Sequence, residues 1–282
     1  MNILRSVFIA ISMYSVLPVP KVEWNEENMR YCMSAFPIVG LIIGFFMWLF
    51  HLFTLRFSLP SLLAAVGYTL IPIAVTGGIH LDGYMDTVDA LASHKSPEEK
   101  RRILKDPNVG AFSVIHLVCI LLLLVALWYS LPAERFDPVL ITLGFVFSRC
   151  LSGLSVLTFP KAEGSGLAAT FSEAAGAFRR GIRADVNSDG NNGNCTDTNN
   201  QKGGFRVAER IQIVECLAAA VLLCLKGRAG IAILITSVII YLWYKRISRK
   251  EFGGLNGDQA GWFLTITEVW ITVVIIVINT AF

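Results

Sequence analysis

The sequence predicts an all-α, polytopic integral membrane helix bundle, with about seven transmembrane helices in a single domain covering 1–282. Three observations carry this reading. Of the 282 residues, 54% are hydrophobic and only 16% charged, where a soluble domain carries roughly 25% charged residues. Several apolar runs approach the roughly 20 residues that cross a bilayer as a helix. The basic residues lie between those runs in a one-sided pattern. Such a composition excludes disordered and collagen-like chains. A net charge of +3 calls for no nucleic-acid partner.

Taken from the N-terminus, residues 1–15 carry one basic residue and an apolar run. No small-x-small cleavage site precedes Leu17-Pro18-Val19-Pro20. The segment is too short to span comfortably and reads as a short re-entrant or interfacial helix. Hydropathy then places spans at 34–53, 59–76, 111–129, 139–159, 211–225, 229–244 and 260–278. Four connections, 21–30, 82–108, 161–210 and 245–258, hold 18 of the 24 Lys and Arg residues. Strict alternation of seven spans puts all four on one side. By the positive-inside rule that side is cytoplasmic. The expected location is therefore the cytoplasmic (inner) membrane, multi-pass, with the site facing the cytoplasm and the C-terminus outside.

Two features are set aside. The stretch 185–204 is polar and rich in Gly and Asn. Its opening, Asp185-x-Asn187-x-Asp189-Gly190, imitates a calcium loop, but Thr196 stands where a bidentate Glu is needed. It reads as a flexible, solvated cytoplasmic loop. The six cysteines (Cys32, Cys119, Cys150, Cys195, Cys216 and Cys224) form no metal-type pair and read as inert thiols.

The chemistry lies in Gly77-Gly78-Ile79-His80-Leu81-Asp82-Gly83-Tyr84-Met85-Asp86-Thr87-Val88-Asp89. Asp82, Asp86 and Asp89 sit at i, i+4 and i+7, within a ~60° arc of one helix face and over ~10 Å of axis. Like charges at that spacing repel, and an Asp at mid-membrane depth costs about 2.5–3.5 kcal/mol. Keeping three together requires a compensating cation. No Lys or Arg lies between Arg56 and Lys95. Hard oxygen ligands without Cys suit Mg²⁺, or Mn²⁺, rather than zinc.

Lys105-Asp106-Pro107-Asn108-Val109-Gly110 lies at another membrane entrance. Gly253-Gly254-Leu255-Asn256-Gly257-Asp258-Gln259-Ala260-Gly261 follows the sixth span, and its glycines allow close backbone approach to a ligand. Arg149 and Glu163-Gly164-Ser165-Gly166 bracket the cytoplasmic end of the fourth span. Glu215 and Glu268 are intramembrane ionisable groups, either functional or paired with each other or with Arg149. His80 is a general-base candidate or a hydrogen-bonded neighbour of the carboxylates. His51 and His116 look like interface or packing residues.

In order along the chain, Leu17-Pro18-Val19-Pro20, Phe36-Pro37-Ile38-Val39-Gly40 with Gly44, and Thr76-Gly77-Gly78-Ile79-His80-Leu81-Asp82-Gly83 with Asp86, Thr87 and Asp89 form one pattern. It continues through Lys105-Asp106, Gly110, Ser148-Arg149, Glu163-Gly164 with Gly166, and Gly253-Gly254, Gly257-Asp258 and Gly261. This pattern resembles the adenosylcobinamide-GDP ribazoletransferase (cobalamin 5'-phosphate synthase) family across nearly the whole chain. Ala90 and Cys150 stand where that family usually has Gly. Asn256 replaces a usual Thr, and Thr265 a usual Glu.

The resemblance implies transfer of the adenosylcobinamide phosphate group from adenosylcobinamide-GDP to α-ribazole or its 5'-phosphate, with release of GMP. It implies a metal held by Asp82, Asp86, Asp89, Asp106 and Asp258. Catalytic roles fall to Asp86, Asp89 and His80, and substrate contacts to Lys105, Arg149, Lys161, Glu163 and Gly257. Membrane lipid surrounds the protein, and a homo-oligomer is compatible with it. The competing readings are a CDP-alcohol phosphotransferase, whose D-x-x-D-G-x-x-A-R motif fails at Ile79 and at Asp86-Thr87, and a divalent cation transporter.

Overall fold

The computed structural model describes residues 2–163, 166–174 and 198–281. Among these residues the secondary structure is helical. It comprises α1 (Asn2–Tyr14), α2 (Glu26–Met29), α3 (Cys32–Ala35), α4 (Pro37–Phe57), α5 (Ser61–Thr76), α6 (Ile79–Ala92) and α7 (Pro97–Ile103). After these come α8 (Ala111–Tyr129), α9 (Pro138–Thr158), α10 (Leu167–Ala174), α11 (Thr198–Leu225), α12 (Gly227–Phe252) and α13 (Gly257–Ala281).

Five helices, α4, α8, α9, α12 and α13, are long and apolar enough to cross a bilayer. The bent pair α5–α6 makes a sixth crossing if it is counted as one span. The expectation of about seven spans differs from this at two places. The run at 59–76 is the 16-residue α5, after which the chain turns by 94° into α6. The run at 211–225 is the second half of α11, a 28-residue helix. Hydropathy records composition and not direction, so it sees neither the turn nor the polar first half. The short N-terminal helix is α1. Of the polar stretch 185–204, residues 185–197 lie outside the described residues and 198–204 open α11.

The turn is made by two glycines. Gly77 and Gly78 have φ of +65° and +79°, the left-handed region that costs other L residues energy. Their amides close the end of α5 on the Ile73 carbonyl, as a left-handed helix cap does.

The membrane gives no hydrophobic drive for helix association, so close packing of small residues takes its place. A Cβ on Gly40 of α4 would stand 2.8 Å from the Phe145 carbonyl of α9, so the two backbones meet there directly. The α9 span is 72% buried and that of α8 only 17%. α9 is therefore the bundle axis, and α8 turns Leu122, Ile115 and Val118 to the outside. His51 is a packing residue. It is buried, accepts or donates a 2.8 Å hydrogen bond with Tyr68, and stacks on Phe136 at 4.1 Å. The described cysteines are all free thiols.

At one end of the bundle, connections tie the helices together. Leu255 and Lys161 form an isolated parallel bridge. The Lys100 ammonium of α7 meets Glu251 of α12 at 2.5 Å, and Arg101 Nη1 donates to the Phe252 carbonyl.

Candidate active site at the α6–α13 crossing

Once past the glycine pair, α6 carries Asp82, Asp86 and Asp89 along one face, Asp82 exposed and the other two half-buried. α13 presents Asp258 in its first turn. Asn256 precedes it in the role of a cap. Its Oδ1 accepts from the Gln259 amide at 3.0 Å, and its Nδ2 donates to Asp258 Oδ2 at 3.1 Å. The Asn256 side chain thus both starts the helix and orients the carboxylate.

The two helices cross with almost no side chain between them. A Cβ on Gly83 would lie 2.7 Å from the Asp258 carbonyl oxygen, and one on Gly261 would lie 3.0 Å from the His80 carbonyl oxygen. This approach brings Asp258 into electrostatic contact with Asp86 and Asp82, while Asp86 is flanked by Asp82 and Asp89. The Asp89 carboxylate lies against Gly110, where any Cβ would overlap it. None of the four aspartates takes part in an ion pair among the described residues.

Asp82, Gly83, Gly257 and Asp258 form one wall of a cavity of ≈ 150 Å³. The rest of the lining is largely apolar and aromatic, with Tyr14, Met33, Phe36 and Phe171 among its residues. His80 borders this cavity and also a second one of ≈ 50 Å³ deeper in the bundle, where Arg149, Glu268 and Thr265 line the surface. Thr265 Oγ1 donates to the His80 carbonyl at 3.3 Å, a further tie between α6 and α13.

A divalent ion can be tested against this donor set. Among the described residues no three His, Cys, Asp or Glu side chains converge as a ready cage. Mg²⁺ asks for less, because it keeps several waters and takes one or two carboxylates plus substrate phosphate. Hard carboxylate oxygens that form no ion pair among the described residues fit it, with Asp82 and Asp258 lining the cavity and Asp86 one turn along α6 from Asp82.

The other expected site residues divide. Gly257 lines the main cavity. Asp106 and Lys105 are exposed. The Asp106 carboxylate accepts from Asn108 N at 2.9 Å and Nδ2 at 2.7 Å, bonds that hold it below the usual carboxylate range. Glu163 is exposed and 3.8 Å from Arg101 Nη2. Lys161 is half-buried, donates to the Phe159 carbonyl at 2.7 Å, and is lowered by desolvation to about 8.

Arg149 is not at a helix end. It sits inside α9, fully buried, with Nη1 2.5 Å from Glu268 Oε1 and also donating to the Phe145 carbonyl. It borders the inner cavity and is absent from the lining of the aspartate cavity. Pairing with Glu268, one of the two readings of that residue, is what the structure contains. The aromatic wall is the part that motifs missed. It comes from α1, α3, α10 and the residue before α4, and only Phe36 stood in a recognisable motif.

Carboxylates that form no ion pair among the described residues, lining a cavity within a polytopic helical bundle, point to a membrane-embedded enzyme rather than a structural membrane protein. The chain matches the cobalamin-5-phosphate synthase family over residues 6–184 and 196–276, and it belongs to that family. It is 35% identical to an adenosylcobinamide-GDP ribazoletransferase of Lachnoclostridium phytofermentans, over 95% of this chain and 92% of the relative. It is 31% identical to one of Clostridium perfringens, over 94% of each chain. A ribazoletransferase of Geobacillus sp. is 26% identical over 93% of this chain and 92% of its own. No solved structure matches. The matched residues include every aspartate of the crossing. Family membership sets aside the CDP-alcohol phosphotransferase and transporter readings.

Proposed function

We infer that this chain catalyses the adenosylcobinamide-GDP ribazoletransferase reaction, the last assembly step of the cobalamin nucleotide loop. The observation that supports the reading is the backbone contact at Gly83 and Gly261, which sets Asp82 and Asp258 on the lining of one cavity, neither of them in an ion pair among the described residues. A diphosphate substrate brings negative charge to this place, which like-charged carboxylates alone would repel. Mg²⁺, or Mn²⁺, held by Asp82, Asp86 and Asp258 would neutralise the diphosphate and the departing GMP.

The residues of the chain do the rest. The ribose hydroxyl of α-ribazole, or of its 5'-phosphate, attacks the phosphorus attached to adenosylcobinamide. A new P–O bond forms, the P–O bond to GMP breaks, and the hydroxyl proton passes to Asp86 or Asp89. His80 borders the chamber on its inner side, and Lys161 and Lys105 are the cations assigned to substrate phosphate. Asn256 keeps Asp258 aimed while both substrates are held in line. The chamber faces the cytoplasm, because the connections carrying Lys100, Arg101 and Lys161 meet the 251–255 segment, next to Asp258, at one end of the bundle, and basic connections stay cytoplasmic.

The test is GMP release by the purified protein in liposomes supplied with adenosylcobinamide-GDP, α-ribazole and Mg²⁺. Release that stops when the metal is omitted supports the reading. No release, under conditions where the Lachnoclostridium relative is active, contradicts it.

A further inference from the structure

Asp82 and Asp258 answer to phosphate and metal, and the aromatic part of the same cavity's lining has no place in that chemistry. Tyr14, Phe36 and His80 form a ring cluster, with centroids 4.2 Å apart for Tyr14–Phe36, 6.1 Å for Tyr14–His80 and 5.9 Å for Phe36–His80. Met33 and Phe171 continue the apolar surface, both buried, at 2% and 1% exposure.

Resting on the proposed function, we propose that this wall is the slot for the planar base of the acceptor, a methylated benzimidazole. Size comes first. An apolar protein cavity of about 150 Å³ takes up a benzene ring, and this one, also ≈ 150 Å³, is not fully enclosed, so a somewhat larger planar ring fits. A two-ring heterocycle matches that, and a corrin macrocycle is several times too large.

Polarity comes second. Guanine, the other planar ring in the reaction, brings a carbonyl, an amino group and ring nitrogens. Each of these costs about 1–3 kcal/mol if buried unpaired. A glycosylated benzimidazole keeps a single free ring nitrogen, so it leaves the fewest polar groups to pair against an aromatic lining. Stacked or edge-on aromatic contacts supply the remainder. A base seated there shares one cavity with Asp82 and Asp258.

The experiment measures GMP release with two acceptors, α-ribazole and the same riboside without the two ring methyl groups. The proteins are the parent, Phe36→Ala, which widens the slot, and Ala168→Leu, which narrows it from α10. Phe36→Ala should raise the KM for α-ribazole about tenfold or more and leave the KM for adenosylcobinamide-GDP unchanged. Ala168→Leu should shift preference toward the unmethylated riboside by about tenfold, and this variant serves if Phe36→Ala does not fold. A change in donor KM with acceptor KM constant would put guanine in the slot and overturn the proposal. So would an equal loss for both acceptors in Ala168→Leu. A parent that releases no GMP with either acceptor overturns the proposed function itself, together with the slot that rests on it.

Discussion

Glu268→Met and Arg149→Met remove the two halves of one buried ion pair, yet their costs should differ. The halves are 2.5 Å apart, and Arg149 is 0% exposed with Nε and Nη2 already unpaired. Deleting one partner of a buried pair costs about 3–5 kcal/mol, chiefly because the survivor keeps an uncompensated charge. A guanidinium cannot shed its proton, so Glu268→Met should incur that full cost. A carboxyl can take up a proton, so Arg149→Met leaves a neutral acid, whose buried polar atoms cost about 1–3 kcal/mol. The double variant Arg149→Met/Glu268→Met leaves neither charge, and apolar replacement of a whole pair is often neutral. It should be more stable than Glu268→Met alone, with a coupling of about 2 kcal/mol or more. The assay is reversible unfolding by SDS in mixed micelles, followed by tryptophan fluorescence. Equal costs for the two single variants, or a double variant that loses the sum of both, would refute the reasoning.

Three further outcomes are expected. Asp82→Asn, Asp86→Asn and Asp258→Asn should each lower GMP release about 100-fold or more while melting at or above the parent temperature, because each relieves like-charge repulsion. Gly83→Ala should cost about 1–3 kcal/mol and lower turnover, because its new Cβ meets α13 backbone, 2.7 Å away at Asp258, and not a side chain that can swing aside. The third concerns Lys161, which burial lowers from 10.5 to about 8. The unfolded chain holds this proton up to a pH of about 10.4 and the folded chain releases it near 8, so stability from this group rises with pH between those values. Substrate binding moves the other way. KM should rise above pH 8 as the ammonium is lost, and Lys161→Arg should remove that rise.

The aspartate face was legible because helical spacing alone puts Asp82, Asp86 and Asp89 on one side, and α6 has that helix. Asp258 was legible as a carboxylate among glycines, but its neighbours were not. The choice of α6 as the partner of α13 joins residues more than 170 positions apart, and it depends on backbone contact at Gly83 and Gly261. No spacing rule encodes such a contact. The Arg149–Glu268 pair was legible as one of two alternatives, and the depth of Arg149 within α9 decides for pairing. The span count went astray where Gly77 and Gly78 turn the chain, since an apolar window holds no information on direction. The aromatic wall is assembled from separate short segments, each unremarkable alone, and so it appears only once they are folded together.

The central claim is that Asp82 and Asp258 hold one divalent ion against the substrate diphosphate. The most direct test replaces each in turn by cysteine and measures GMP release with Mg²⁺ and with Cd²⁺. Thiolate is a soft ligand that Mg²⁺ avoids and Cd²⁺ accepts. Asp82→Cys and Asp258→Cys should be inactive with Mg²⁺ and regain turnover with Cd²⁺, while Asp106→Cys, placed in an exposed turn, should show no such switch. Full activity of either cysteine variant with Mg²⁺, or no recovery of either with Cd²⁺ where the parent tolerates that ion, would contradict the account.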